Sequence, residues 1–112
     1  VNFFSIREQS YLARFAAWKL KGANAALVLG RHIHLHGVSK AEFMRNEQWL
    51  RHELKHVEQF KRHGFIPFLV KYLWECVLHG YENCSFEREA RAAEKDENLL
   101  AMFQYKGNES WA

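Results

Sequence analysis

The chain has no long apolar run. The longest, over residues 65–78, is interrupted by Pro67, Lys71 and Glu75, and it falls short of the roughly 20 residues that a membrane-spanning helix needs. No membrane span is therefore expected. Cysteine is scarce. Cys76 and Cys84 are the only two, too few for a disulfide scaffold, and reduced, packed thiols are the expected state. The first residues, Val1-Asn2-Phe3-Phe4, show no basic n-region, no apolar h-region and no small-residue cleavage site. No signal peptide is read, and the cytoplasm is the slightly favoured compartment. Internal repeats and low-complexity stretches are missing too.

A strong excess of one charge is also missing. Sixteen Lys and Arg stand against thirteen Asp and Glu, for a net charge of +3. The basic residues Arg45, Arg51, Lys55, Lys61 and Arg62 interleave with Glu42, Glu47, Glu53 and Glu58. That is the pattern of a solvated helix face rather than of a stripe that tracks phosphates, so no nucleic-acid partner is expected. What is present is the composition of a globular protein, 48% hydrophobic and 26% charged over 112 residues. That length makes one domain with one compact core.

Ser5 can cap a helix reaching residue 21, with Leu12, Phe15, Ala16 and Leu20 near helical spacing and Gly22 to stop it. Over 25–37 the period changes: Ala26-Leu27-Val28-Leu29 and Ile33/Leu35, punctuated by Gly30 and Gly37, predict one or two short strands. Ser39 then caps a long helix to His63, ended by Gly64. Pro67 suits the first turn of a third helix over 68–79, apolar nearly all round and hence expected at the centre. Ser85 caps a fourth, over 86–104, with Glu87 and Glu89 in its first turn. The tail from Lys106 is polar and expected to fray. The fold class is α+β, mainly α, with a short β-hairpin or small sheet.

One motif carries chemistry. His52-Glu53-Leu54-Lys55-His56 is an HExxH sequence inside the long helix. Residues four apart lie one turn apart on the same face, so both imidazoles can reach one Zn²⁺ ion. Glu53 stands beside the ion, placed to take a proton from a water that the metal activates. The helical wheel agrees. Phe43, Leu54 and Val57 fall within roughly 40° of Leu50, while His52, His56 and Gln59 share a separate sector at roughly 180–240°. Such a helix packs on the core with one face and lines a cleft with another.

A catalytic zinc needs a third protein ligand. No HExxHxxGxxH continues the motif, so a downstream carboxylate is expected, and Glu87-Arg88-Glu89-Ala90 offers two. This segment is similar to the E-x-x-A of gluzincin metallopeptidases, the HExxH class whose third ligand is a Glu on a following helix. The HELKHVEQ stretch, with Gln59 last, also resembles the HExxH-x-x-Q helix of small bacterial domains of that class. The resemblance implies a minimal zincin core over about residues 25–95, made of hairpin, HExxH helix and glutamate helix. It also implies Zn²⁺ on His52, His56 and Glu87, Ala90 at a close helix contact, and a peptide or protein substrate. The class usually has Asp after that Ala; here Arg91 stands there, so acidic support of the imidazoles is weakened or moved elsewhere. Glu89 lies nearer the centre of the Phe86/Ala90/Ala93/Leu100 stripe than Glu87 does and stays a second candidate.

Tyr81, between the third helix and Glu87, can donate its O–H to a developing oxyanion and is a candidate catalytic residue. His32, His34 and His36 share one face of a strand, with Ile33 and Leu35 on the core side. In the gluzincin class a strand beside the cleft lies along the bound peptide. His63 and His79 read as helix-terminal residues. The expected function is zinc-dependent peptide hydrolysis. The alternative is a metal-binding or protein-interaction module that keeps the fold without turnover.

Overall fold

A computed structural model of the chain describes residues 2–8, 13–14 and 25–105. Strand β1, Asn2–Arg7, is followed after an interval by β2, Ala25–Leu29, and β3, His32–His36. Helices α1, Lys40–Arg45, α2, Glu47–His63, α3, Phe65–His79, and α4, Ser85–Ala93, come next. A single 3-10 turn, Leu100–Met102, leads into β4, Phe103–Tyr105. The expected α+β class, mainly α with a small sheet, is what the chain adopts.

The sheet order is β2-β3-β1-β4. β2 and β3 form an antiparallel hairpin in which Val28 faces Ile33 and Leu29 faces His32. Its two-residue turn, Gly30-Arg31, needs the left-handed φ of +67° that Gly30 supplies. β1 runs parallel to both of its neighbours, with Ile6 opposite Ile33 and Asn2 opposite Phe103.

This sheet corrects two expectations. Ser5 is a buried residue in mid-strand, not a helix cap, because Phe4 and Ile6 alternate into the core at 3% and 2% exposure. Most of the remainder of the helix expected to reach residue 21 lies outside the described residues, as does the tail from Lys106. The fourth helix stops at Ala93 instead of residue 104. The Asp96 carboxylate accepts the Asn98 N–H at 3.0 Å, a local turn that competes with helix continuation. Phe103 then joins β1 and packs edge-on against Phe4.

The helix expected from Ser39 to His63 is two helices. Ser39 caps α1 through its hydroxyl, which accepts the Glu42 N–H at 3.1 Å, and Asn46 caps α2 by accepting the Trp49 N–H at 3.1 Å. The Asn46 side chain thus takes over a backbone donor and interrupts the run. Lys61, Arg62 and His63 complement the C-terminal end of α2. Gly64, at φ +88° and ψ 152°, then turns the chain directly into α3 through a backbone conformation open essentially only to glycine.

The core joins Phe4, Ile6, Val28, Ile33 and Leu35 of the sheet to Phe43 of α1 and to Leu50, Leu54, Val57 and Phe60 of α2. α3 is not central, as its all-round apolar sequence suggested. It also begins at Phe65, three residues earlier than expected. Only Phe68 is buried, at 2% exposure, whereas Val70, Trp74 and Val77 are 61%, 63% and 79% exposed. The core takes up one flank of α3, with Leu69 and Tyr72 packed beside Phe68, and the described residues leave the opposite flank uncovered. No described helix is long and apolar enough to cross a membrane.

Candidate metal centre

α2 is buried on two sides, which is what its sequence pattern requires. Leu50, Leu54 and Val57 enter the core, while His56 and Gln59 are buried on another face, 7% and 0% exposed. That second face meets α4, whose first turn carries Glu87, itself 2% exposed. Ala90 is fully buried one turn further along α4, consistent with the close approach of the two helices.

The Glu87 carboxylate lies between the two histidines. His52 Nε2 is 3.1 Å from Oε1 and His56 Nε2 is 3.1 Å from Oε2. One ligand atom from each of the three residues lies within 4.8 Å of the others. Among the described residues this is the one such group of three. The remaining ring nitrogens are also held. His52 Nδ1 is 2.8 Å from Glu94 Oε2, and His56 Nδ1 is 2.9 Å from Gln59 Oε1. Gln59 in turn donates to the Phe86 carbonyl at 3.1 Å and to Glu89 Oε1 at 2.8 Å, and Arg62 donates to the same Glu89 oxygen at 2.8 Å. Glu89 is therefore engaged outside the cluster. The Tyr72 hydroxyl donates to Glu87 Oε2.

The electrostatics follow from this packing. Burial opposes the charge on Glu87, but hydrogen bonds from His52, His56 and Tyr72 outweigh it and hold the carboxyl well below its usual range. Burial likewise opposes a charge on His52, yet hydrogen bonds to Glu87 and Glu94 and the nearby Glu53 charge prevail, and its pKa is pushed up to about 9. Burial pushes the Glu53 carboxyl up; the flanking histidines offset part of that, while Glu87 adds to it.

Glu53 faces a cavity of about 150 Å³ shared with His56, Glu87, Tyr72 and Tyr81. Its other walls are apolar, from Ala26 and Val28 of β2 and Leu69 and Leu73 of α3. Tyr81 lines the same cavity, and burial together with the Glu87 and Glu53 charges pushes its phenol up. Among the described residues β2 is an outer strand of the sheet and borders the cavity, while β3 lies between β2 and β1 and offers no outer edge. Along β3, Ile33 and Leu35 are fully buried and the three histidines are half-buried. His63 and His79 close α2 and α3. Cys76 and Cys84 are free thiols, the second buried.

Arg91 stands where the gluzincin resemblance implies an acid that supports the imidazoles. Arg91 instead donates to the Glu82 carbonyl, and Glu94, three residues on, is the acid that meets His52. Glu94 and Tyr72 were both missed. The only advance signal for Tyr72 was its i, i+4 spacing from Phe68, which places both on the flank that meets Phe86. No protein-family model, no curated protein and no solved structure matches this chain.

Proposed function

We propose that this chain is a zinc-dependent metallopeptidase domain that hydrolyses peptide bonds in a peptide or protein substrate. The observation that carries this reading is the convergence of His52 Nε2, His56 Nε2 and the Glu87 carboxylate beside Glu53 at the wall of a cavity. Two imidazoles and one carboxylate suit zinc, and three protein ligands are the number found in catalytic zinc sites, where a fourth position stays open. Zinc held there supplies a Lewis acid for the scissile carbonyl and lowers the pKa of water.

The chain's own groups perform the proton work. Glu53 takes a proton from the attacking water and delivers it to the amine nitrogen as the C–N bond breaks. In the metal-free chain, burial raises the proton affinity of Glu53. The Tyr81 hydroxyl donates to the carbonyl oxygen as negative charge develops. The outer edge of β2 suits an extended substrate backbone.

Elemental analysis and hydrolysis of labelled casein test the reading together. One zinc per chain is expected in the wild type and in Glu53→Gln, and none in His52→Ala or Glu87→Ala. Glu53→Gln is expected to lower turnover by several powers of ten. Zinc binding without hydrolysis by the wild type would leave a metal-binding module, and equal rates in wild type and Glu53→Gln would remove the peptidase assignment.

A further inference from the structure

The second histidine nitrogen facing away from the cluster is where the two imidazoles differ. His56 Nδ1 meets a neutral amide, Gln59, whereas His52 Nδ1 meets a carboxylate, Glu94. We infer that Glu94 is the positioning residue that sets His52 as a ligand: it fixes the ring's tautomer and direction and strengthens its donor nitrogen. The inference rests on the reading of His52 as a metal ligand.

The geometry separates Glu94 from the ligands. It touches His52 on the Nδ1 edge at 2.8 Å, while Nε2, on the far side of the ring, faces Glu87 at 3.1 Å. A proton held on Nδ1 by the carboxylate leaves the Nε2 lone pair for the metal. Glu94 is itself gripped by α2. Gln48 donates to its Oε1 at 2.7 Å and Arg51 donates to its backbone carbonyl at 2.7 Å. Three residues of α2 therefore converge on one residue at the C-terminal end of α4. A carboxylate in that place opposes the helix dipole, a cost that the contacts with Gln48 and His52 offset. Arg91, committed to the Glu82 carbonyl, takes no part.

The test is zinc titration of the chelator-stripped chain against a competing chelating dye, with Glu94→Gln and Glu94→Ala beside the wild type. Glu94→Gln keeps the volume and an acceptor oxygen but removes the charge, so it distinguishes support of the ligand from support of the fold. Zinc affinity is expected to fall by roughly 10–100-fold in Glu94→Ala and by a smaller factor in Glu94→Gln. The visible spectrum of the cobalt-loaded protein is expected to change in both. Wild-type affinity and an unchanged cobalt spectrum in both variants would overturn the inference, even if their metal-free melting temperatures fall. A wild type that binds no zinc would instead overturn the ligand reading, and this inference with it.

Discussion

His56 Nε2 lies 3.1 Å from Glu87 Oε2, while His52 Nε2 lies the same distance from the other oxygen of that carboxylate. One buried carboxylate thus joins two imidazoles one helical turn apart. In chelator-treated protein this arrangement stores protons: the His52 pKa is about 9, and that of His56 is raised as well.

The sign of the resulting pH dependence is fixed. A folded-state pKa raised above the ordinary value near 6.5 contributes stability that is fully present below about pH 6.5 and lost as pH rises through about 9. Metal must displace the same protons, so its affinity moves the other way. The chelator-treated chain should melt at a lower temperature at pH 9.5 than at pH 6.5, while apparent zinc affinity climbs over that interval. Melting curves and competition titrations across the range check both. Parallel slopes would show that the histidines are not the groups that metal binding deprotonates.

Tyr72→Phe isolates one hydrogen bond. The ring sits beside Phe68 and Phe86, with centroids at 5.8 and 6.4 Å, so phenylalanine fits without a new cavity. Glu87 Oε2 loses its hydroxyl donor. Hydrogen bonds to charged groups contribute about 1.5–3 kcal/mol, and a loss of that size is expected in denaturant unfolding of the chelator-treated chain. An unchanged unfolding midpoint would mean that water replaces the hydroxyl at no cost.

The helix bearing the two histidines was legible because its signals are local. The four-residue spacing of His52 and His56, the Leu50/Leu54/Val57 stripe and the stop at Gly64 are all written within one segment. The β2–β3 hairpin was legible for the same reason, since its alternation and its Gly30 turn are contiguous. β1 was not. Its neighbours are His32–His36 and Phe103–Tyr105, and nothing in residues 2–7 announces partners so distant in sequence. The roles of Tyr72 and Glu94 were hidden for a related reason: each depends on how two helices pack, not on its own segment. Asn46 favours a cap over a helix interior, but its signal was masked because the apolar spacing runs on across it, with Phe43 and Leu50 seven residues apart.

The apolar composition of α3 misled in a way that mutation can measure. Composition states how much a helix could bury, whereas burial depends on what lies against it. Phe68→Ala should cost about 3–5 kcal/mol, the usual penalty for emptying a buried aromatic site. Val70→Glu, at a position 61% exposed, should change stability by no more than about 0.5 kcal/mol. A large loss from Val70→Glu in equilibrium unfolding would mean that this flank of α3 is covered in solution.

Tyr81 offers the sharpest division between binding and chemistry. It shares the cavity with Glu53 and Glu87, yet it is 44% exposed and belongs to no helix. Removing its hydroxyl should therefore leave the fold and the zinc content unchanged. If the hydroxyl donates to the carbonyl oxygen only as charge builds, its loss weakens the transition state and not the bound substrate. Tyr81→Phe should then lower kcat by roughly 10²–10³, the usual effect of deleting one oxyanion donor, with KM nearly unchanged. A hydroxyl that merely held Glu87 in place would act through the metal instead, and zinc affinity would fall along with turnover. Steady-state kinetics and zinc titration on one preparation of the variant separate the two outcomes, because only the first leaves the metal as tightly bound as in the wild type.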